Sequence, residues 1–435
     1  MKNGRYKWLL LVFLFVTFFL ELGTRQVYNA VLPQLKLDFA ASGVNDAALG
    51  TVGTVFGAVF GMTLLASGLA ADFFGRKRVI VLGTALFSAA IFGCGFAGGL
   101  GLLLALYGVL NAMGQCCVAP ASYSLISQYH DNSTRSTAMA IFQAASYAGI
   151  VLCSWLSGVL ADAGAGGWRR AFWLFGAIGV VWALVMQWKM RDTAQPEMTA
   201  SGRQQELPSD GGAGVPSSAD KPTVKAAFAA LLTKPTAILI AVAFGMYMFF
   251  NFGIRLWTTA FLVREFPGVT LASAAFHAVF WINLGAFLGL FVTARVLDRV
   301  GDRRPRIRLE VSALGFLLCV PPMLAVAYAP SLALCCAALL VLGAAEGVYE
   351  AAHYPAMFDC VEPRYRSATT GITGCMAFLI GSGAPALLGW MGEKFTMRLS
   401  LASISGFLLL GALILFPAIL RYFKNDYIGP PLDVR

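Results

Sequence analysis

Charge is what this chain has least of. Only 12% of its 435 residues are Asp, Glu, Lys or Arg, where soluble domains carry roughly a quarter. So few charged side chains cannot cover a water-facing surface of this size, which excludes a soluble globular protein. Histidine is nearly absent, with three copies, and the nine cysteines show no metal-type spacing. Each cysteine falls in or beside an apolar run and reads as a small packing residue. No metal and no cofactor is therefore expected. The chain also lacks a Gly-rich phosphate loop, a nucleophile–base set and an ATP-binding motif. Enzyme chemistry is not expected, and any work the chain does must draw on an ion or solute gradient.

What fills the chain instead is apolar: 58% of residues are hydrophobic and the mean hydropathy is +0.72. A bilayer-spanning helix needs about 20 mostly apolar residues. Twelve runs qualify: 8–33, 49–70, 78–97, 101–128, 136–160, 169–189, 236–262, 272–295, 308–328, 332–358, 368–390 and 399–421. The first follows a basic start but continues past residue 30 without a small-residue cleavage site, so it reads as a retained helix rather than a signal peptide. The net charge of +10 would suggest nucleic acid in a soluble protein. Here the basic residues sit in short loops. With the N-terminus in the cytoplasm, 24 of the 32 Lys and Arg fall inside and six outside, the bias that orients membrane proteins. Both termini are thus expected in the cytoplasm, in an inner membrane, with lipid rather than nucleic acid around the chain.

Residues 191–235 contain a Gly-, Ser- and Pro-rich stretch that cannot build a core and reads as a cytoplasmic linker. It separates six helices (1–190) from six more (236–421), followed by a tail at 422–435. The halves repeat one another. GLAADFFGRKR after the second run matches ARVLDRVGDRR after the eighth. Asn111, Gln115 and Pro120 in the fourth run have the same spacing as Glu346, Glu350 and Pro355 in the tenth. The expected fold is an all-α membrane protein, twelve helices in two six-helix pseudo-symmetric bundles. Such repeats mark transporters whose site lies between the halves near the midplane.

With Gly68, Asp72, Gly75, Arg76, Lys77 and Arg78 in one loop, and Asp298, Arg299, Gly301 and Arg303 in its copy, the chain resembles the major facilitator superfamily. Arg25, eight residues before Pro33, and the helix-7 segment GIRLWTTAFL are most similar to its anion:cation symporter group. Thr24 and Gln115 stand where sugar-acid symporters carry acids, a departure from that group. The resemblance implies a monomeric carrier. It also implies that Asp72, Arg76, Asp298 and Arg303 form a gating charge network on the cytoplasmic face.

Charged groups at membrane depth are costly and point to function. Arg25 and Arg255 are candidate ligands for an anion, since a guanidinium binds carboxylate bidentately. The plainer readings are an ion pair of Arg25 with Glu21, one turn away, and a snorkelling Arg255. Glu346 and Glu350 share a helix face, an arrangement suited to carrying a proton, or to binding sodium. Glu21 is a third coupling candidate. Tyr28, Gln115, Tyr147, Asn251 and Asn283 are candidate substrate contacts, weighed against ordinary helix–helix hydrogen bonding. The expected function is alternating-access transport of a small organic anion, a sugar acid or carboxylate, by proton-coupled symport. Efflux or facilitated transport of a neutral or lipophilic solute is the alternative.

Overall fold

The computed structural model describes residues 2–130, 134–191, 228, 231–300, 304, 306–362 and 365–428. Among these, every regular element is helical, and twelve helices are long and apolar enough to cross a membrane. They are α1 (Lys2–Asp38), α2 (Asp46–Phe74), α3 (Arg76–Cys94), α4 (Leu100–Tyr129), α5 (Arg135–Asp162) and α6 (Gly167–Lys189). The second six are α7 (Pro235–Glu265), α8 (Leu271–Val300), α9 (Arg306–Ala327), α10 (Leu332–Phe358), α11 (Arg366–Gly381 and Gly383–Lys394) and α12 (Met397–Asp426).

Two of these helices break where proline chemistry requires. In α4 the regular ladder lapses at Cys116 and Cys117, because the ring of Pro120 displaces the carbonyl four residues earlier. In α11 the pieces part at Ser382, beside Gly381, whose carbonyl Pro385 displaces in the same way. The loop between α2 and α3 turns on Gly75, at φ +86, a conformation that L side chains rarely adopt.

Within the first half α1 packs on α5 and α3 on α6. Within the second, α8 packs on α10, and α9 on α10 and α12. The tightest approach is α8 against α10. Gly285 and Gly289 face Gly343 and Gly347, two four-residue glycine repeats laid against each other. A Cβ on Gly343 would fall on the carbonyl oxygen of Ile282. Lipid tails are as apolar as side chains, so membrane helices gain by close van der Waals contact, which glycine permits. This approach also sets Asn283 of α8 and Glu346 of α10 side by side.

The two halves meet along α2–α11 and α5–α8. At the end of the bundle that carries the α1–α2 and α7–α8 loops, polar contacts cross the boundary. The Asp46 carboxylate accepts two hydrogen bonds from Arg264, both at 2.7 Å, and pairs with Lys36 at 2.9 Å. The backbone N–H of Asp46 donates to Glu393 at 2.6 Å. Asp162 of α5 accepts from the backbone N–H groups of Leu271 and Ala272, at 3.2 and 2.9 Å, capping α8 from the other half. At the opposite end, the expected gating residues are only partly visible. Arg303, like the segment 192–227, lies outside the described residues, and so does the side chain of Asp72. Arg76 opens α3 half-buried, and Asp298 is exposed on α8. Where a tail was expected from 422, α12 continues to Asp426, whose carboxylate accepts the Thr236 N–H at 2.8 Å and caps α7.

The α8–α10 contact gives a matched test. Gly343→Ala must push two backbones apart, whereas Gly406→Ala meets no atom within 4 Å. Thermal unfolding in detergent should show Gly343→Ala destabilised by about 1–3 kcal/mol and Gly406→Ala unchanged. Equal melting of the two would refute the close-packing account.

Candidate functional site

A cavity of about 600 Å³ lies between the halves. The first half contributes Arg25 and Asn29 from α1, Phe56 from α2, Tyr107 from α4, and Gln143 and Tyr147 from α5. The second contributes Tyr247, Asn251, Phe252 and Arg255 from α7, Asn283 and Phe287 from α8, Glu350 from α10 and Phe378 from α11.

Arg25 and Arg255 stand on corresponding helices, the first of each half, and both line this cavity. Their surroundings differ. Nε and Nη2 of Arg25 both donate to Gln115 Oε1, at 3.0 and 2.9 Å. Its acid partner Glu21 is 3.8 Å away, too far for a hydrogen bond, and Glu21 Oε2 is buried without a bonding partner among the described residues. Gln115 in turn donates to the Glu21 carbonyl oxygen at 3.1 Å and to Asn111 Oδ1 at 3.0 Å. Arg25 is therefore hydrogen-bonded to a neutral amide and ion-paired with Glu21 through a longer contact that is not a hydrogen bond. Its Nη1 has no hydrogen bond among the described residues.

Arg255 is engaged at every nitrogen. Nε donates to Asn251 Oδ1 at 3.0 Å, Nη1 to Asn283 Oδ1 at 3.3 Å, and Nη2 to Glu346 Oε1 at 3.2 Å. Glu346 is fully buried behind the cavity wall, and the same Oε1 also accepts from Asn251 Nδ2 at 2.9 Å. The Tyr247 hydroxyl lies 3.0 Å from Glu346 Oε1 and 2.6 Å from Glu350 Oε1. A phenol carries one hydrogen, so it donates to one carboxylate only. A proton on the other carboxyl, donating to the phenol oxygen, makes both short contacts hydrogen bonds. The two glutamates, the tyrosine and Arg255 thus form a unit with room for one extra proton, and that proton cancels the surplus negative charge beside Arg255.

Of the residues that sequence reasoning singled out, Arg25, Tyr147, Asn251, Arg255, Asn283 and Glu350 are brought to the cavity wall. Glu21, Gln115 and Glu346 stand directly behind it. Tyr28 points away. It is fully buried, stacks on Tyr107 with centroids 4.6 Å apart, and donates to the Leu49 carbonyl oxygen at 2.8 Å. Tyr247 and Tyr107 went unremarked in the sequence. Tyr247 lies four and eight residues before Asn251 and Arg255, on one helical face, and that spacing was the available signal. Tyr107 had no such marker: it sits in a π-helical stretch, Leu104–Asn111, that shifts the helix face. His353 is buried against Tyr349 and Tyr354 and does not reach the cavity.

Removing one member of a buried pair strands the other, at a cost of about 3–5 kcal/mol. Glu346→Ala should destabilise the protein by about that much, because Glu346 Oε1 accepts from Asn251 and Arg255 and contacts Tyr247. Glu21→Ala should cost clearly less, because its carboxylate accepts no hydrogen bond among the described residues and meets Arg25 only at 3.8 Å. Thermal melts of both variants in one detergent check this. Equal losses would mean that Arg255 does not depend on Glu346.

The sequence profile of the Major Facilitator Superfamily matches residues 14–326. A probable 4-methylmuconolactone transporter of Cupriavidus pinatubonensis is 26% identical over 298 residues, covering 66% of this chain and 62% of the relative. An efflux pump of the same transporter type from Mycolicibacterium smegmatis is 25% identical over 315 residues, covering 71% of this chain and 67% of the pump. The chain thus spans about two thirds of the length of these relatives. The crystal structure of a bacterial homologue of the human lysosomal transporter Spinster, inward-facing and unoccupied, superposes with a TM-score of 0.83 at 22% identity. It covers 98% of this chain and 99% of that one, a likeness of fold. Twelve membrane-length helices in two related halves, with a cavity between them, agree with the profile match over most of the sequence: this chain is a multi-pass membrane protein of the Major Facilitator Superfamily.

Proposed function

We propose that the chain is a proton-coupled symporter of a small organic anion, working by alternating access around the central cavity. The observation that carries this reading is that two guanidinium groups, Arg25 and Arg255, line one cavity at membrane depth, one from each half. Two cations held in so apolar a setting are costly unless something uses them. The relative that carries a methylmuconolactone name supports an organic substrate of this kind.

Arg25 is the standing anion ligand, because its Nη1 makes no hydrogen bond among the described residues and Glu21 reaches it only at 3.8 Å. Arg255 is the conditional one. With Glu346 ionised, its Nη2 is occupied. A proton delivered through Glu350 and Tyr247 to Glu346 weakens that bond and frees the guanidinium for a substrate carboxylate. Proton and anion then enter together, and the buried charge of the site stays nearly balanced throughout. A loaded site without the proton would bury an uncompensated negative charge, which the low dielectric penalises by several kcal/mol. Asn251, Asn283 and Tyr147 complete the substrate contacts. With both termini in the cytoplasm, the contacts around Asp46 and Asp162 close the outer side, and the cavity serves the cytoplasm. The halves 1–190 and 236–421 rock about the site, and the loops that hold Asp72, Arg76, Asp298 and Arg303 close the cytoplasmic side in the opposite state.

Binding is tested by melting the purified protein against carboxylates, neutral sugars and organic cations. Ligands that bind only the folded state raise Tm, by the equivalent of about 2.7 kcal/mol at a hundred times Kd. A carboxylate should stabilise the wild type and not Arg25→Ala. Stabilisation by neutral solutes or cations alone would favour efflux of a neutral or lipophilic solute. Coupling is tested in proteoliposomes with the carboxylate so found. Wild-type uptake should rise as the loading side is acidified. Glu350→Gln should retain exchange of internal for external substrate but lose accumulation driven by a pH gradient. Gradient-driven accumulation by Glu350→Gln at the wild-type rate would exclude this proton path.

The outer closure makes its own prediction. Asp46→Ala removes the carboxylate that joins Arg264 to Lys36, and the outward-open population should grow. Nitroxide labels at the exposed positions Ser42 and Thr396 should then show a longer distance component by pulsed electron resonance. An unchanged distance distribution would place the closure in apolar packing of α2 on α11 alone.

A further inference from the structure

The Arg25 guanidinium lies against two rings, 5.1 Å from the centroid of Phe56 and 4.9 Å from that of Phe60. From there ring contacts continue without interruption. Phe56 meets Tyr107 at 5.4 Å, and Phe60 stacks on Phe378 at 4.8 Å with 19° between planes. Phe378 then meets Phe252 edge-on at 5.3 Å. Phe56, Tyr107, Phe252 and Phe378 all line the cavity. A wall of rings therefore runs from the Arg25 guanidinium of the first half to α7 and α11 of the second.

Several of the polar side chains on the same cavity are already hydrogen-bonded. Asn29 donates to Gln26 Oε1 at 2.9 Å, and Gln143 accepts from Tyr123 at 3.0 Å and donates to Ser146 at 3.3 Å. Until Arg255 is released, Asn251 and Asn283 are taken up by it. A polyhydroxylated anion would compete with these bonds for partners, and each hydroxyl left unmatched on burial is costly. A flat apolar body makes no such demand and gains offset or edge contacts with the rings. One charge and one planar body are what this wall matches.

We propose that the substrate is an aromatic or conjugated carboxylate, its carboxylate on Arg25 and its ring plane against Phe56, Phe252 and Phe378, rather than a sugar acid. This rests on the reading of Arg25 as the anion ligand. Because Phe378 touches Phe60 of the first half and Phe252 of the second, a ring bound there contacts both halves at once.

The test uses benzoate, 2-naphthoate, cyclohexanecarboxylate and gluconate as probes in thermal-shift titrations of the full-length protein. Benzoate and naphthoate should stabilise the wild type. Cyclohexanecarboxylate, of benzoate's size but not planar, should bind at least several-fold more weakly, and gluconate should not act at the same concentrations. Phe378→Leu should weaken naphthoate about tenfold, and Phe378→Tyr should restore it. The comparison of benzoate with cyclohexanecarboxylate needs no variant, so it stands even if Phe378→Leu fails to fold. Gluconate binding as well as naphthoate, or cyclohexanecarboxylate matching benzoate, would overturn the ring assignment while leaving Arg25 as an anion ligand. If no carboxylate acts, or Arg25→Ala responds like the wild type, the anion reading beneath it fails.

Discussion

The bond between Arg255 and Glu346 organises the second half of this protein. Neither charge is tolerable alone at that depth, so each fixes the position of the other. Everything around the pair follows from satisfying it. Asn251 bridges them from one turn away on α7, Asn283 takes the remaining face of the guanidinium, and Tyr247 ties in Glu350. The glycine repeats of α8 and α10 serve the same pair, because only helices in backbone contact bring Asn283 and Glu346 within reach of one guanidinium. Packing and electrostatics are here a single constraint.

The first half solves the same problem differently. Its arginine is on the corresponding helix, but the residue that meets it on α4 is Gln115, an amide, and the acid stands on α1 itself at a distance. A neutral partner fixes geometry without cancelling charge. One half therefore presents a cation that is held but open, and the other a cation that is held and closed. Two equal halves would bind the anion or neutralise themselves. The inequality allows one to capture the ligand while the other registers a proton, and in the proposed cycle this is what couples the two events.

Much of this was legible in the sequence, for definite reasons. Charge depletion and twelve apolar runs gave the class, and the repeat of Asn111–Gln115–Pro120 as Glu346–Glu350–Pro355 gave the correspondence between halves. Arg25, Arg255 and Glu350 stood out because charge inside an apolar run has few explanations. Aromatics in such runs have too many. Phe56, Phe252 and Phe378 face the cavity, and Phe87, Phe172 and Phe316 are simply buried, yet nothing in their local sequence separates the two groups. Tyr28 misled because it shares a side of α1 with Arg25, three residues before it, yet its ring is buried on Tyr107 and its hydroxyl bonds the Leu49 carbonyl oxygen. Gln115 was placed one layer too near the ligand, since an amide long enough to bind substrate is also long enough to bind the arginine that does. The contacts of Asp46 were hidden for another reason. Lys36, Asp46, Arg264 and Glu393 come from four separate helix ends, and only the assembled halves bring them together.

That last group bears on how the two halves exchange states. Asp46 holds Arg264 of the other half only while the loop end is shut, and Asp162 caps α8 only while α5 and α8 are in register. Asp46 is buried and takes a two-point bond from Arg264, whereas the Asp162 cap is exposed to water, and on opening each partner can be hydrated. The pairs at the cavity have no such recourse, and their rearrangement is expensive in the absence of a compensating charge. In the proposed cycle, the barrier to uncoupled movement therefore sits at Arg255, Glu346 and Glu350 rather than at the outer contacts. In that cycle the halves move once the central charges are balanced, and stall when they are not.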